Sequence, residues 1–273
     1  MHFAAIFLSG HKNKGLTRNF IPDAVKPVDT NCVRIVFSLR LCYNKTILFD
    51  RRGYKTMADR LTARAALGTA LSGVLAGVLI SIGGTVNLSI ENRVLGACFF
   101  SIGLFFVVSM RLWLFTGKVG WLCRNGLTYA VQLLMTLAGN FMGTLCVALL
   151  LRQTRAADGL VQRAAELSAV KMADSLPSLF VLALLCGVLM YLGVSGFQVF
   201  NSALGRYGAV FLAVTVFILS GFEHCIANMY YYSMSGVWGD GRAWLTMLVM
   251  ALGNAAGSII IAEGYRLSQK LLE

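Results

Sequence analysis

Residues 207–235 read YGAVFLAVTVFILSGFEHCIANMYYYSMS. The run to Leu219 is almost wholly apolar; then Ser220, Gly221, Glu223, His224 and Asn228 interrupt it. A helix that crosses a membrane needs about 20 mainly apolar residues. This segment is longer than that, and its polar groups sit in its middle. Ionisable groups inside hydrocarbon are costly and mark functional positions. The stretch therefore predicts a membrane-embedded helix broken near its centre, with His224 at the break.

A second segment has the same character. Residues 94–123, VLGACFFSIGLFFVVSMRLWLFTGKVGWLC, are too long for one plain span and carry Arg111 and Lys118 inside. Four further apolar stretches, about 66–90, 127–151, 177–200 and 242–265, complete a set of six. The longest connection, residues 152–175, is polar and divides the set into three and three. The two interrupted segments are then the middle spans of their halves, the pattern expected where a site lies near the membrane midplane. The third spans match as well: Gly139-Asn140-Phe141-Met142-Gly143 and Gly253-Asn254-Ala255-Ala256-Gly257 share G-N-x-x-G, a face of small residues that permits close helix approach. With three spans per half, the repeats enter from opposite sides. The expected fold is an all-α membrane protein: a six-helix bundle of two inverted three-helix repeats with interrupted second and fifth helices.

Composition agrees. Of 273 residues, 57% are hydrophobic and 13% charged, with a mean hydropathy of +0.70. Soluble domains average about 25% charged residues. A soluble enzyme, a disordered chain and a disulfide scaffold are excluded. The net charge of +12 is concentrated at the N-terminus, where residues 1–56 hold ten Lys/Arg and three Asp/Glu. That distribution points to anionic lipid and not to nucleic acid. The segment 1–56 reads as a basic extension, with Met57-Ala58-Asp59-Arg60 a natural lead into the first span and a candidate translation start; residues 57–273 form the channel domain. Lys/Arg flanking the spans are balanced, so only the extension favours cytoplasmic termini in an inner membrane. Seven cysteines form no C-x-x-C pair and read as buried free thiols. With His2, His11 and His224 the only histidines, there is neither an H-E-x-x-H metal pair nor a bis-histidine haem site, so no cofactor and no enzyme is expected.

The polar groups within the spans suggest a pore. His224 can donate a hydrogen bond and change charge near neutral pH. Asn228 follows by four residues and would share its helical face. Glu223 points elsewhere and is expected to cap backbone donors freed by the break. Thr116, in Leu114-Phe115-Thr116-Gly117, can bond a facing histidine. Phe100 and Leu104 share a face before the first break, and Phe217 lies two turns before His224. Half-helices starting at breaks direct partial positive charge into the membrane. Small anions are the expected substrate. A neutralising relay, in which the anion takes a proton near His224, would reduce the cost of crossing apolar constrictions.

At these residues the chain resembles the formate/nitrite transporter family, in particular its short, divergent bacterial members. Gly221-Phe222-Glu223-His224-Cys225-Ile226-Ala227-Asn228-Met229 is similar to the family's G-F-E-H-S-I-A-N-M, and Leu114-Phe115-Thr116-Gly117 to its L-F-T-G loop. Phe99-Phe100-Ser101-Ile102-Gly103-Leu104 resembles the family's approach to that loop. The resemblance covers about residues 66–265. It implies an aquaporin-like fold, a homopentamer with one pore per subunit, and passage of small monovalent anions (formate, nitrite, hydrosulfide, short-chain carboxylates), often with a proton. It implies His224 as the pore histidine, Thr116 as its partner and Asn228 as a second polar group. Phe100, Leu104, Leu114, Phe115, Val194 and Phe217 would form the constrictions, and Lys118, Arg111 and Lys171 would add anion attraction. Three departures bear on the substrate. Trp113 stands where the family has an acid, Lys118 where it often has Asn, and Cys186-Gly187-Val188-Leu189-Met190-Tyr191-Leu192 replaces R-G-x-x-C-N-W. They keep open an aquaporin-like pore for small neutral solutes.

Overall fold

The computed structural model describes residues 63–273; the extension 1–56 and Met57 lie outside the described residues. Among the described residues the regular elements are helices: α1 (Ala63–Ser89), α2 (Arg93–Ser109), α3 (Phe115–Lys118), α4 (Leu122–Leu151), α5 (Ala157–Ala173), α6 (Leu176–Val199), α7 (Ala203–Leu219), α8 (Cys225–Ser235) and α9 (Gly241–Leu272). Short 3-10 turns join α3 to α4 and α8 to α9. Local chemistry fixes the starts. Asn92 Oδ1 accepts from Val94 and Leu95 N–H ahead of α2, Ser175 caps α6 just before Pro177, Ser202 caps α7 and Asp240 caps α9. Gly236, with φ 77°, ends α8 in the left-handed conformation.

Among the described residues, α1, the stretch Phe115–Leu151, α6 and α9 are long and apolar enough to cross a membrane; α2 and α7 are shorter apolar helices. At 27 residues α1 extends about 40 Å, against a hydrocarbon core of about 30 Å. The segment expected as an interrupted second span is divided: α2, a non-helical stretch at 110–114, then α3. The segment that opened the sequence reading is divided in the same way, by residues 220–224 between α7 and α8. The polar connection 152–175 is itself helical. α5 buries Leu160, Ala164 and Ser168, and is tied down by a Ser168–Ser235 hydroxyl contact of 3.0 Å and by Arg163 donating to Leu88 O at 2.8 Å.

The G-N-x-x-G segments do what small-residue faces do. A Cβ at Gly143 would strike Val74 O of α1, and one at Gly257 would strike Leu184 O of α6. Helices α1 and α4, and α6 and α9, thus pack backbone to backbone. The expectation of buried cysteines holds for Cys186 and Cys225, whereas Cys123 and Cys146 are exposed on the surface of the single chain and Cys98 is half-buried. Cys32 and Cys42 lie outside the described residues. The outer surface of the bundle carries many bare apolar side chains, among them Leu71, Phe99, Leu134, Leu212 and Leu252. Such a surface belongs against lipid or other apolar chains, not water.

Candidate pore site

The two breaks are built by one set of hydrogen bonds used twice. After α2, Met110, Arg111 and Leu112 N–H donate back to Phe106, Val108 and Val107 O; after α7, Ser220, Gly221 and Phe222 N–H donate to Val216, Ile218 and Phe217 O. Each turn needs one left-handed residue. Gly221 takes it at φ 70°, and Arg111 takes it at φ 56° although it has a Cβ. Asn140 and Asn254 then clamp the breaks. Asn140 Oδ1 accepts from Phe115 N–H at 2.9 Å, while its Nδ2 donates to Gly73 O and Trp113 O at 2.8 and 3.1 Å. Asn254 Oδ1 accepts from Cys225 N–H at 2.8 Å, and its Nδ2 donates to Ala183 O and Glu223 O at 2.7 and 2.8 Å. In the sequence these asparagines mark close helix packing through G-N-x-x-G. An amide in the middle of an apolar span has to find partners, and that was the available signal for their clamping role.

The second break carries the histidine. His224 is the N-cap of α8 and only 2% exposed. Its Nδ1 accepts from Ala227 N–H at 3.1 Å, so that nitrogen carries no hydrogen. The neutral ring therefore holds its hydrogen on Nε2, which lies 2.9 Å from Thr116 Oγ1 at the first turn of α3 and donates to it. Thr116 is 1% exposed. The Phe217 ring stacks on the imidazole with centroids 5.4 Å apart, and Phe100 meets Phe217 edge-on at 5.9 Å. Leu104 is buried one turn beyond Phe100 on α2. In the first break Leu114 holds the position of His224, as N-cap of α3 without a side-chain cap; it is buried with Phe115. Val194 Cγ2 lies against Gly117 of the same turn. The expected apolar residues are all buried, with Phe217 against the imidazole and Leu114 and Phe115 just before Thr116 in the chain.

Glu223, Asn228 and Lys171 form a separate cluster. Lys171, reaching over from α5, pairs with Glu223 Oε2 at 2.6 Å, and Asn228 Nδ2 donates to the same oxygen at 2.6 Å and to Met250 Sδ at 2.9 Å. Two expectations change. The carboxylate of Glu223 does not cap freed backbone donors; Asn254 and the His224 ring do that. The Asn228 amide turns to Glu223 and not to His224, because a carboxylate without hydrogen bonds inside the bundle would be far costlier than an imidazole already paired with Thr116.

Of the other expected cations, Arg111 is exposed at its turn, and Lys118 Nζ stands 5.5 Å over the Trp113 ring. Tyr191 packs its ring on Gly120 and 5.2 Å from Trp121. A groove of about 480 Å³ between α2 and α7, walled by Phe99, Ile102 and Phe211, is on the apolar outer face and holds none of the site residues.

An all-helical bundle with an apolar exterior and paired, clamped helix breaks defines a membrane transport protein. The sequence profile of the formate/nitrite transporter family matches residues 54–266, and the chain belongs to that family. Its members are channels and transporters, not enzymes. The chain is 25% identical over 220 residues to the formate channel FocB of Escherichia coli K12, covering 72% of this chain and 75% of that protein. It is 26% identical over 231 residues to the nitrite transporter NirC of the same organism, covering 76% and 85%. Among solved structures, a pentameric formate channel with formate bound superposes with a TM-score of 0.65 at 23% identity, over 77% of this chain and all of that one. An FNT family ion channel gives 0.63 at 21%, over 74% and 89%. At those identities the structural likeness speaks for the fold.

Proposed function

We propose that this protein forms a pore for small monovalent anions, such as formate, nitrite, hydrosulfide or a short-chain carboxylate. In this reading six spans lie in an inner membrane as two inverted sets of three, with α2–α3 and α7–α8 as the interrupted spans and the termini in the cytoplasm. Five copies assemble, each with its own pore. The matching bonds at 110–114 and 220–224 and the odd number of spans per half support the inversion. The family and its pentameric structural neighbour support the assembly.

The observation that carries the reading is the buried Nε2–H of His224, facing Thr116 with the Phe217 ring stacked on the imidazole. A bare anion in such surroundings is strongly disfavoured. An anion displacing Thr116 would accept a hydrogen bond from the Nε2–H, and with one proton gained from the aqueous side it crosses the apolar constrictions as neutral acid. The Nδ1 bond from Ala227 constrains this relay: the Nε2 hydrogen can leave as a proton only as Nδ1 takes up another, at the cost of the cap of α8. Phe100, Leu104, Leu114, Phe115, Val194 and Phe217 exclude water, and Lys118 and Arg111 contribute positive potential at the approaches, whereas the charge of Lys171 is balanced by Glu223.

Proteoliposomes with an internal pH dye test the reading. Imposed formate or nitrite gradients should acidify the lumen rapidly in wild type, faster at lower external pH, and His224→Asn should abolish the pH dependence while leaving the oligomer intact. Transport unchanged in that variant refutes the histidine's role. A second reading, a pore for neutral solutes, draws on Trp113 and Tyr191 in place of the family's polar residues; glycerol or water flux without anion flux would establish it.

A further inference from the structure

A helix break releases carbonyls as well as N–H groups, and the two have opposite effects on an ion. Freed N–H groups attract anions; freed carbonyl oxygens attract cations and repel anions. An interrupted helix is therefore not anion-selective by construction. At both breaks most of the released carbonyls are taken by backbone donors: Phe106, Val107 and Val108 O on one side, and Val216, Phe217 and Ile218 O on the other. Arg93 covers Leu219 O at 2.9 Å. The carbonyls immediately before Leu114 and His224, those of Trp113 and Glu223, accept instead from Asn140 and Asn254. Each amide is fully engaged, with both its hydrogens and its oxygen bonded, and each side chain is completely buried.

We infer that Asn140 and Asn254 are positioning residues that set the preference for anions over cations. They hold the Trp113 and Glu223 carbonyls turned into the bundle, so that the pore meets the N–H side of each break. This rests on the anion-pore reading. It assigns the selection of charge sign to neutral amides outside the pore, in addition to His224 and the cationic side chains. The requirement is an Nδ2 donor at a fixed place, which a residue of similar size without that donor does not meet.

The test compares wild type with Asn254→Leu and Asn140→Leu, which keep the volume and add no charge. Proteoliposome uptake of radiolabelled formate and nitrite is measured beside that of radiolabelled rubidium ion, with oligomeric state checked by gel filtration. The expected result is that the anion-to-rubidium uptake ratio falls roughly tenfold in each assembled variant, as a freed carbonyl turns toward the pore. A variant that loses formate uptake at an unchanged ratio overturns the inference, because the amide then only supports packing. Failure of both variants to assemble overturns it in the same sense. Wild-type protein that passes neither anion, nor hydrosulfide nor acetate, refutes the proposed function itself, and the inference with it; wild-type anion uptake with variant ratios unmoved refutes the inference alone.

Discussion

Arg111 is held in a conformation that Gly221 adopts freely at the matching break. A left-handed non-glycine residue costs about 1–2 kcal/mol, and the Arg111 side chain is exposed, with little packing to repay it. Arg111→Gly should therefore raise the midpoint of thermal unfolding in detergent, by an amount equivalent to roughly 1 kcal/mol; a fall would show that the guanidinium holds the turn through other contacts. Thr116 makes the converse case. Thr116→Val conserves shape and leaves the Nε2–H of His224 without an acceptor in a buried site. Anion transport at saturating gradients should fall roughly tenfold with the oligomer retained, read by the internal pH dye. At this scale the sequence was only partly legible. The pairing of His224 with Thr116 follows from residue type and motif. The partners of Glu223 and Asn228 do not, because helical face rules do not apply to Glu223 and His224, which precede the helix.

In the proposed pair of repeats α1 answers to α6, α2 to α7, α3 to α8 and α4 to α9. The unmatched one is α5, which the sequence shows only as a polar connection because it buries just Leu160, Ala164 and Ser168. It brings Lys171 to Glu223, whose side chains are 14% and 7% exposed. Removing one member of a pair so buried leaves a charge without its partner, at about 3–5 kcal/mol. Lys171→Met should lower the unfolding midpoint sharply, and adding Glu223→Gln should recover most of the loss; equal destabilisation by single and double variants would show that the pair is not coupled. The close helix pairs were legible from G-N-x-x-G. Gly257→Ala places a methyl group against Leu184 O and should cost about 1–3 kcal/mol, measurable in the same unfolding assay.

For the whole molecule, apolar composition and two interrupted segments were enough to read a helical membrane protein, since a chain with so few charges has no other way to cover its surface. What they could not supply was which donor satisfies which acceptor across helices far apart in sequence, and hence the clamps that Asn140 and Asn254 form. The family match begins at residue 54, close to Met57. A chain started at Met57 should therefore assemble and transport as the longer one does in the same vesicles, and a loss would give the basic extension a part in the pore. The clamps also bear on how such a protein can change over generations. Asn140 and Asn254 hold the backbone of residues 113 and 223, so those two bonds do not depend on which side chains the residues carry. In the proposed repeats one position carries a carboxylate in one half and an indole in the other, Glu223 and Trp113, with the same backbone bond to an asparagine. In that reading the two breaks are separately evolvable, and a lineage can acquire a new diet of solutes by altering the residue at one while the other keeps its chemistry.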